Sequence, residues 1–125
     1  MAVFIADVVR DSGLGYLTTN GTQINICSAE PTTYSIATTA GTSSLGVKTS
    51  ASTGAAQNGA VDGRRVIVAA ITDGSVTNTG TATYWALTDG VSELLAYGDL
   101  SSSQAVTSGN TFTLDAISIT IRDAA

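Results

Sequence analysis

The second half of the chain is a succession of short apolar runs, each closed by a small polar turn. The cleanest is Ile117-Ser118-Ile119-Thr120-Ile121-Arg122, which alternates with period two. A strand of that pattern turns its three isoleucines inward and Ser118, Thr120 and Arg122 outward. Thr83-Tyr84-Trp85-Ala86-Leu87 places Thr83, Trp85 and Leu87 on one face, with Trp85 as core anchor, and Tyr84 and Ala86 on the other. Leu94 and Ala96 likewise oppose Leu95 and Tyr97. Val66–Ile71 is apolar at every position, the mark of a central or interface strand. Thr72-Asp73-Gly74-Ser75, Asn78-Thr79-Gly80 and Thr88-Asp89-Gly90 read as turns. Ser101-Ser102-Ser103 and Ser108-Gly109-Asn110 read as loops around a short strand at 104–107. Strands about 8–12 residues apart with turns between them predict an all-β, antiparallel β-sandwich, jelly-roll or immunoglobulin-like, with strand order left open.

The first half is less regular. Phe4, Ile5, Val8 and Val9 recur at helical spacing, so residues 1–19 are the one helix candidate, ended by Gly13 and Gly15. Its β-branched residues keep an N-terminal strand as the alternative. Either way this short helix or arm has an apolar face to bury, on its own sandwich or on a neighbouring chain. Asn20-Gly21 is a turn dipeptide. The strand Gln23–Ser28 follows, with Ile24 and Ile26 on one face, and Glu30-Pro31-Thr32-Thr33 breaks it. Residues 35–62 are small, polar and nearly uncharged, and read as a long loop around a short strand at Leu45–Thr49. Such a loop is a mobile surface segment or an arm that orders against a partner.

Composition narrows the function. A chain of 125 residues suits a single domain, 1–125. Charged residues make up 12% against 43% hydrophobic, so the polar surface is mostly Ser, Thr, Asn and Gly. Little charge has to be desolvated when such a surface meets another protein. The net charge is −5 and the basic residues are Arg10, Lys48, Arg64, Arg65 and Arg122, which is no footprint for nucleic acid. Arg64-Arg65 is a solvated strand start or an anchor for an acidic patch on a partner. Asp7 follows the apolar opening residues and no basic segment precedes them, so no secretory signal is expected. No apolar run reaches the length of a membrane span.

Candidate chemistry is sparse. Histidine is absent, which excludes a Ser–His–Asp or Cys–His arrangement. With a single cysteine it also excludes a zinc site of the usual kind and an intrachain disulfide. Cys27 therefore reads as a packing residue. Gly13-Leu14-Gly15 lacks the context of a phosphate loop. Asp73, Asp89, Asp99 and Asp115 are the carboxylates that could pair for acid–base work or converge on calcium. Three of them adjoin glycine, where Asp serves turns. Tyr34, Tyr84, Trp85 and Tyr97 could stack on a carbohydrate, but the core competes for the seven aromatics. The expectation is no enzyme, no cofactor and no metal.

One stretch carries a resemblance. Gly63-Arg64-Arg65-Val66-Ile67-Val68-Ala69-Ala70-Ile71-Thr72-Asp73-Gly74-Ser75 and its continuation through Gly80, then Thr83–Gly90, then Leu100-Ser101-Ser102-Ser103-Gln104 through Leu114, resembles small tailed-bacteriophage virion proteins. Ala29-Glu30-Pro31 matches a turn common in that group. The likeness covers most of the chain except 35–62 and rests on structural motifs. It implies a virion structural protein: a capsid cement or decoration protein on the major capsid protein, made in a bacterial cytoplasm and carried on the capsid surface. The alternative it implies is a tail or fibre component, an adaptor or receptor-contacting module. The expected partners are the major capsid protein and further copies of the chain, a trimer first, without nucleic acid or membrane. Val3, Phe4, Ile5, Val8, Arg64 and Arg65 are the expected partner-interface residues, with the loop 35–62 beside them. A soluble carbohydrate-binding module is a third reading with little in its favour.

Overall fold

The computed structural model describes residues 7–41, 43–61 and 63–121, with backbone alone for 7–10. Helix α1 (Asp7–Asn20) leads into β1 (Gln23–Cys27), α2 (Tyr34–Thr38), β2 (Ser44–Lys48) and the two-residue β3 (Gln57–Asn58). Then come β4 (Arg64–Val68), β5 (Ile71–Val76), β6 (Gly80–Thr88), β7 (Leu94–Val106), β8 (Thr111–Leu114) and β9 (Ile117–Ile121). Six strands form a curled sheet in the order β7-β6-β1-β2-β5-β8, and a small sheet has the order β3-β4-β9. All the strand-to-strand pairings among the described residues are antiparallel. The class is the expected one, an all-β, sandwich-like fold with a short helix.

The two sheets share one bent pair of strands. The apolar run Val66–Ile71 is divided, with Val68 ending β4 in the small sheet and Ile71 opening β5 in the large one. Ala69 and Ala70 make the corner, and both are exposed. On the partner strand Asp115-Ala116 makes the same corner between β8 and β9, so that Ile71 pairs with Leu114 and Val68 with Ile117. Small side chains at the corner let the backbone turn without displacing the core. One continuous central strand was the wrong expectation here, because hydropathy does not record which sheet an apolar residue joins.

Asp73-Gly74 is not a turn either, since both residues lie inside β5. Gly74 is dictated by Phe112, the largest fully buried side chain. A Cβ on Gly74 would stand 2.3 Å from that ring, and one on Gly46 of β2 would stand 3.0 Å from it. The ring thus fills the space two glycines leave open. The same core holds Ile24, Ile26, Leu45, Val76, Leu87 and Leu114 from the large sheet and Val68 from the small one, with the half-buried Ile117 and Ile119 packed against it. Trp85 takes a different place from the one expected. It is partly buried at the margin of this core, where its indole lies over Gly98, its cross-strand partner. Of the three inward isoleucines, Ile121 is 37% exposed at the end of its strand.

α1 runs through Gly13 and Gly15, which were expected to end it. Each glycine costs a helix interior about 1 kcal/mol, and burial offsets that cost. Leu14 is 1% exposed, Leu17 packs on the core, and Gly13 faces Ile121. The helix stops at Asn20, where the Gly21 amide donates to the Leu17 carbonyl at 2.7 Å.

Residues 35–62 also hold more structure than a loop around one strand. α2 begins where the Thr33 hydroxyl accepts the Ile36 amide at 3.2 Å, a helix N-cap. It lies against β1 and β2 with Ala37 buried, so β1 is covered on both faces. Buried Asn25 on the second face is satisfied by Ser44 Oγ and the Gln23 amide. Further on, Ala51 donates to Thr22, Ala69 donates to Ser52, and Gly54 donates to Ile67. These bonds fasten the segment to its own domain. In β7, residues 101–103 belong to the strand rather than to a loop.

Candidate functional site

Arg64 and Arg65 leave β4 in opposite directions. Arg64 shares the face of Val66 and Val68 and reaches α1. Its Nε and one terminal nitrogen donate to the two carboxylate oxygens of Asp11 at 2.8 and 3.2 Å. The remaining nitrogen donates to Asn58 Oδ1 at 2.7 Å. This forked geometry suits guanidinium and carboxylate. The Arg64 side chain is 18% exposed, so it clamps the helix to the small sheet instead of standing solvated at a strand start. Arg65 lies on the outer face with Ile67, opposite Gln57 and Thr120, and its Nε is buried without a hydrogen-bond partner. Val8 lies on α1, whereas Val3, Phe4 and Ile5 fall outside the described residues.

A second feature was not foreseen. β7 and β8 are the two margins of the large sheet, and its curl brings them face to face. The turn at 107–110 connects them, and beyond it, among the described residues, one side chain bridges them by hydrogen bonds. Gln104 on β7 donates to the Thr113 carbonyl at 2.8 Å and accepts the Thr113 amide at 3.4 Å. Beyond that bridge the margins part. The register between β6 and β7 jumps from Ala82–Gln104 to Tyr84–Asp99, so Leu100, Ser101, Ser102 and Ser103 stand opposite Thr83 alone. That bulge and the Asp115-Ala116 corner enclose a cleft of about 390 Å³. Trp85, Asp99, Ser101, Gln104, Thr113 and Asp115 are among its lining residues, and among the described residues no basic one lines it. A hydroxyl-rich lining with two exposed carboxylates suits a neutral or cationic donor-rich ligand and disfavours an anion.

The other candidate residues are dispersed. Asp89 has the expected turn role. Its Oδ1 accepts the amides of Val91, Ser92 and Glu93 at 2.8 to 3.0 Å, and these bonds hold its carboxyl below the usual range. Asp73, in a strand, pairs with Lys48 at 3.0 Å. Asp99 also lies in a strand, so two of the three glycine-adjacent aspartates are not turn residues. Among the described residues no three His, Cys, Asp or Glu side chains form a group that could hold a metal. The aromatics make no common platform. Tyr84 and Tyr97 share one face of β6 and β7, and Trp85 occupies the other. The Tyr97 hydroxyl donates to Glu30 at 2.6 Å, and this bond raises its ionisation above the ordinary phenol range.

Cys27 is fully buried beneath α2, its Sγ 3.7 Å from the Ala37 carbonyl. Burial pushes the thiol up to about 11 from 9.0. Alkylation of the folded chain at pH 8 is therefore expected to be at least about 100-fold slower than for the same thiol in denaturant, because both thiolate and access are suppressed. The folded pKa is the higher one, so this contribution to stability holds below pH 9 and is lost as pH rises toward 11. Following modification by mass, with Cys27→Ala as control for alkaline unfolding, checks both statements. Labelling of native and denatured chains at equal rates would refute the packing role.

Among the described residues no helix is long and apolar enough to cross a membrane. Comparison with protein-family models, curated proteins and solved structures finds no match for this chain.

Proposed function

We propose that this chain is a structural protein of a bacteriophage virion, a cement or decoration protein that binds the major capsid protein lattice. The observation that carries the reading is the chemistry of the exposed strand positions. Thr81 on β6, Ser101, Ser102 and Ser103 on β7, Thr111 and Thr113 on β8, and Ser118 and Thr120 on β9 are all exposed hydroxyls. Such a surface approaches another protein with little charge to desolvate, and its hydroxyls can donate or accept as the contact requires. Many copies, each burying a modest area, reinforce a lattice through avidity. The outer face of the small sheet adds Arg65 and Ile67, a cation beside a half-buried apolar residue, as a contact for the capsid or an adjacent copy.

Particles assembled without the chain are expected to release their genome at a lower temperature than complete particles, and added protein should restore the threshold. Heating particles with a DNA-binding dye in the medium reads this directly. An unchanged threshold with normal heads would refute the cement reading. If adsorption or tail assembly failed at that unchanged threshold, a tail or fibre component would replace it.

A further inference from the structure

The seam between β7 and β8 has the form of a strand vacancy. Among the described residues each of these strands has one partner, β6 or β5, so each presents its other edge to the gap. An unpaired edge is a row of amide donors and carbonyl acceptors that readily takes another strand. Gln104 shows what chemistry this edge accepts. Its side-chain amide has the donor and acceptor of a peptide group, and it meets both main-chain groups of Thr113 as a neighbouring strand would. Past that point the β7 wall bulges away and the cleft opens, with Ser101, Ser102, Ser103, Asp115 and Ala116 exposed. Edge strands are usually protected by lysine, proline, a bulge or short length. β7 has 13 residues, with neither lysine nor proline among them, and its bulge is what opens the cleft.

We propose that this cleft binds an extended polypeptide segment of another protein, which adds a strand between β7 and the β8–β9 corner and sets a lysine or arginine between Asp99 and Asp115. The charge of the lining selects the cation, since among the described residues it includes two carboxylates and no basic group. The paired strand edges select a peptide over a glycan, because Trp85 already has ring atoms laid against Gly98. The inference stands on the seam alone and does not depend on the virion reading.

The test uses the whole ¹⁵N-labelled chain and a synthetic peptide of alternating threonine and valine with one central lysine. Saturable shifts confined to the amides of Ser101–Ser103 and Asp115–Ile117 are expected. A central glutamate in place of lysine should weaken binding at least about fivefold. Asp99→Asn and Asp115→Asn should each weaken it about two- to fivefold, the scale of an exposed ion pair. Both aspartates are exposed, so an unchanged unfolding midpoint will show that the fold is intact. Four outcomes overturn the proposal: no saturable shift at those amides, equal affinity for the lysine and glutamate peptides, cleft shifts produced by a neutral oligosaccharide but not the peptide, or the same shifts appearing without peptide as protein concentration rises. The last would assign the seam to a second copy of this chain.

Discussion

Phe112→Ala is expected to lower unfolding stability by about 3–5 kcal/mol, the range for deleting a large buried aromatic side chain. Phe112 is 1% exposed and touches strands from the middle of the large sheet to its margin. Gly74→Ala is expected to destabilise the same region from the opposite side, by about 1–3 kcal/mol, because its methyl would enter an occupied ring position. The informative result is the combination. A Cβ on Gly74 would stand 2.3 Å from the Phe112 Cε1 and Cζ atoms. Truncating the ring removes that clash and leaves a void into which the methyl fits. The double variant should therefore lose at least about 1 kcal/mol less than the sum of the single losses, a coupling typical of residues in contact. Chemical denaturation of the four proteins measures it. Strict additivity would show that Phe112 and Gly74 do not share one packing site.

The same pair explains why part of the fold was hidden in the sequence. Alternation at Ile117, Ile119 and Ile121 and at Gln23–Cys27 reported strands correctly, because period two is a local property. Asp73-Gly74 was misread because the dipeptide is also a turn signal, and the ring that demands this glycine lies 38 residues further along, 112 against 74. The corner at Ala69-Ala70 left no trace in hydropathy. Gly13 and Gly15 signalled a helix end that the burial of Leu14 and Leu17 overrides. Thr33 was legible as an N-cap, and attention to it would have placed α2.

The cleft was harder to see for the same physical reason. Its walls are residues 99–104 and 113–117, and only the curl of six strands sets them opposite each other. Ser101-Ser102-Ser103 did announce a departure from regular pairing, which the structure resolves as a bulge inside β7 instead of a loop. Gln104 carried no signal as a bridge. Arg64-Arg65 was singled out as a pair, yet a dipeptide in a strand sends its two side chains to opposite faces. One of them became an internal clamp and the other faced outward.

That clamp can be broken. Arg64→Met keeps an aliphatic side chain on the same strand face as Val66 but deletes the fork that grips Asp11 and Asn58. Removing one member of a fully buried ion pair costs about 3–5 kcal/mol. Asp11 is 35% exposed and retains water, so about 2 kcal/mol is expected here. Arg64→Lys should recover part of it, since lysine restores the charge but not the bidentate geometry. The loss should be local before it is global. α1 should separate from β4 while the large sheet stays intact, so amide exchange at Leu14 and Leu17 should quicken ahead of exchange at Ile24 and Ile26. Equal acceleration in both places would mean that the helix and sheet unfold as one unit. Unchanged exchange in α1 would mean that burial of Leu14, not the ion pair, holds the helix.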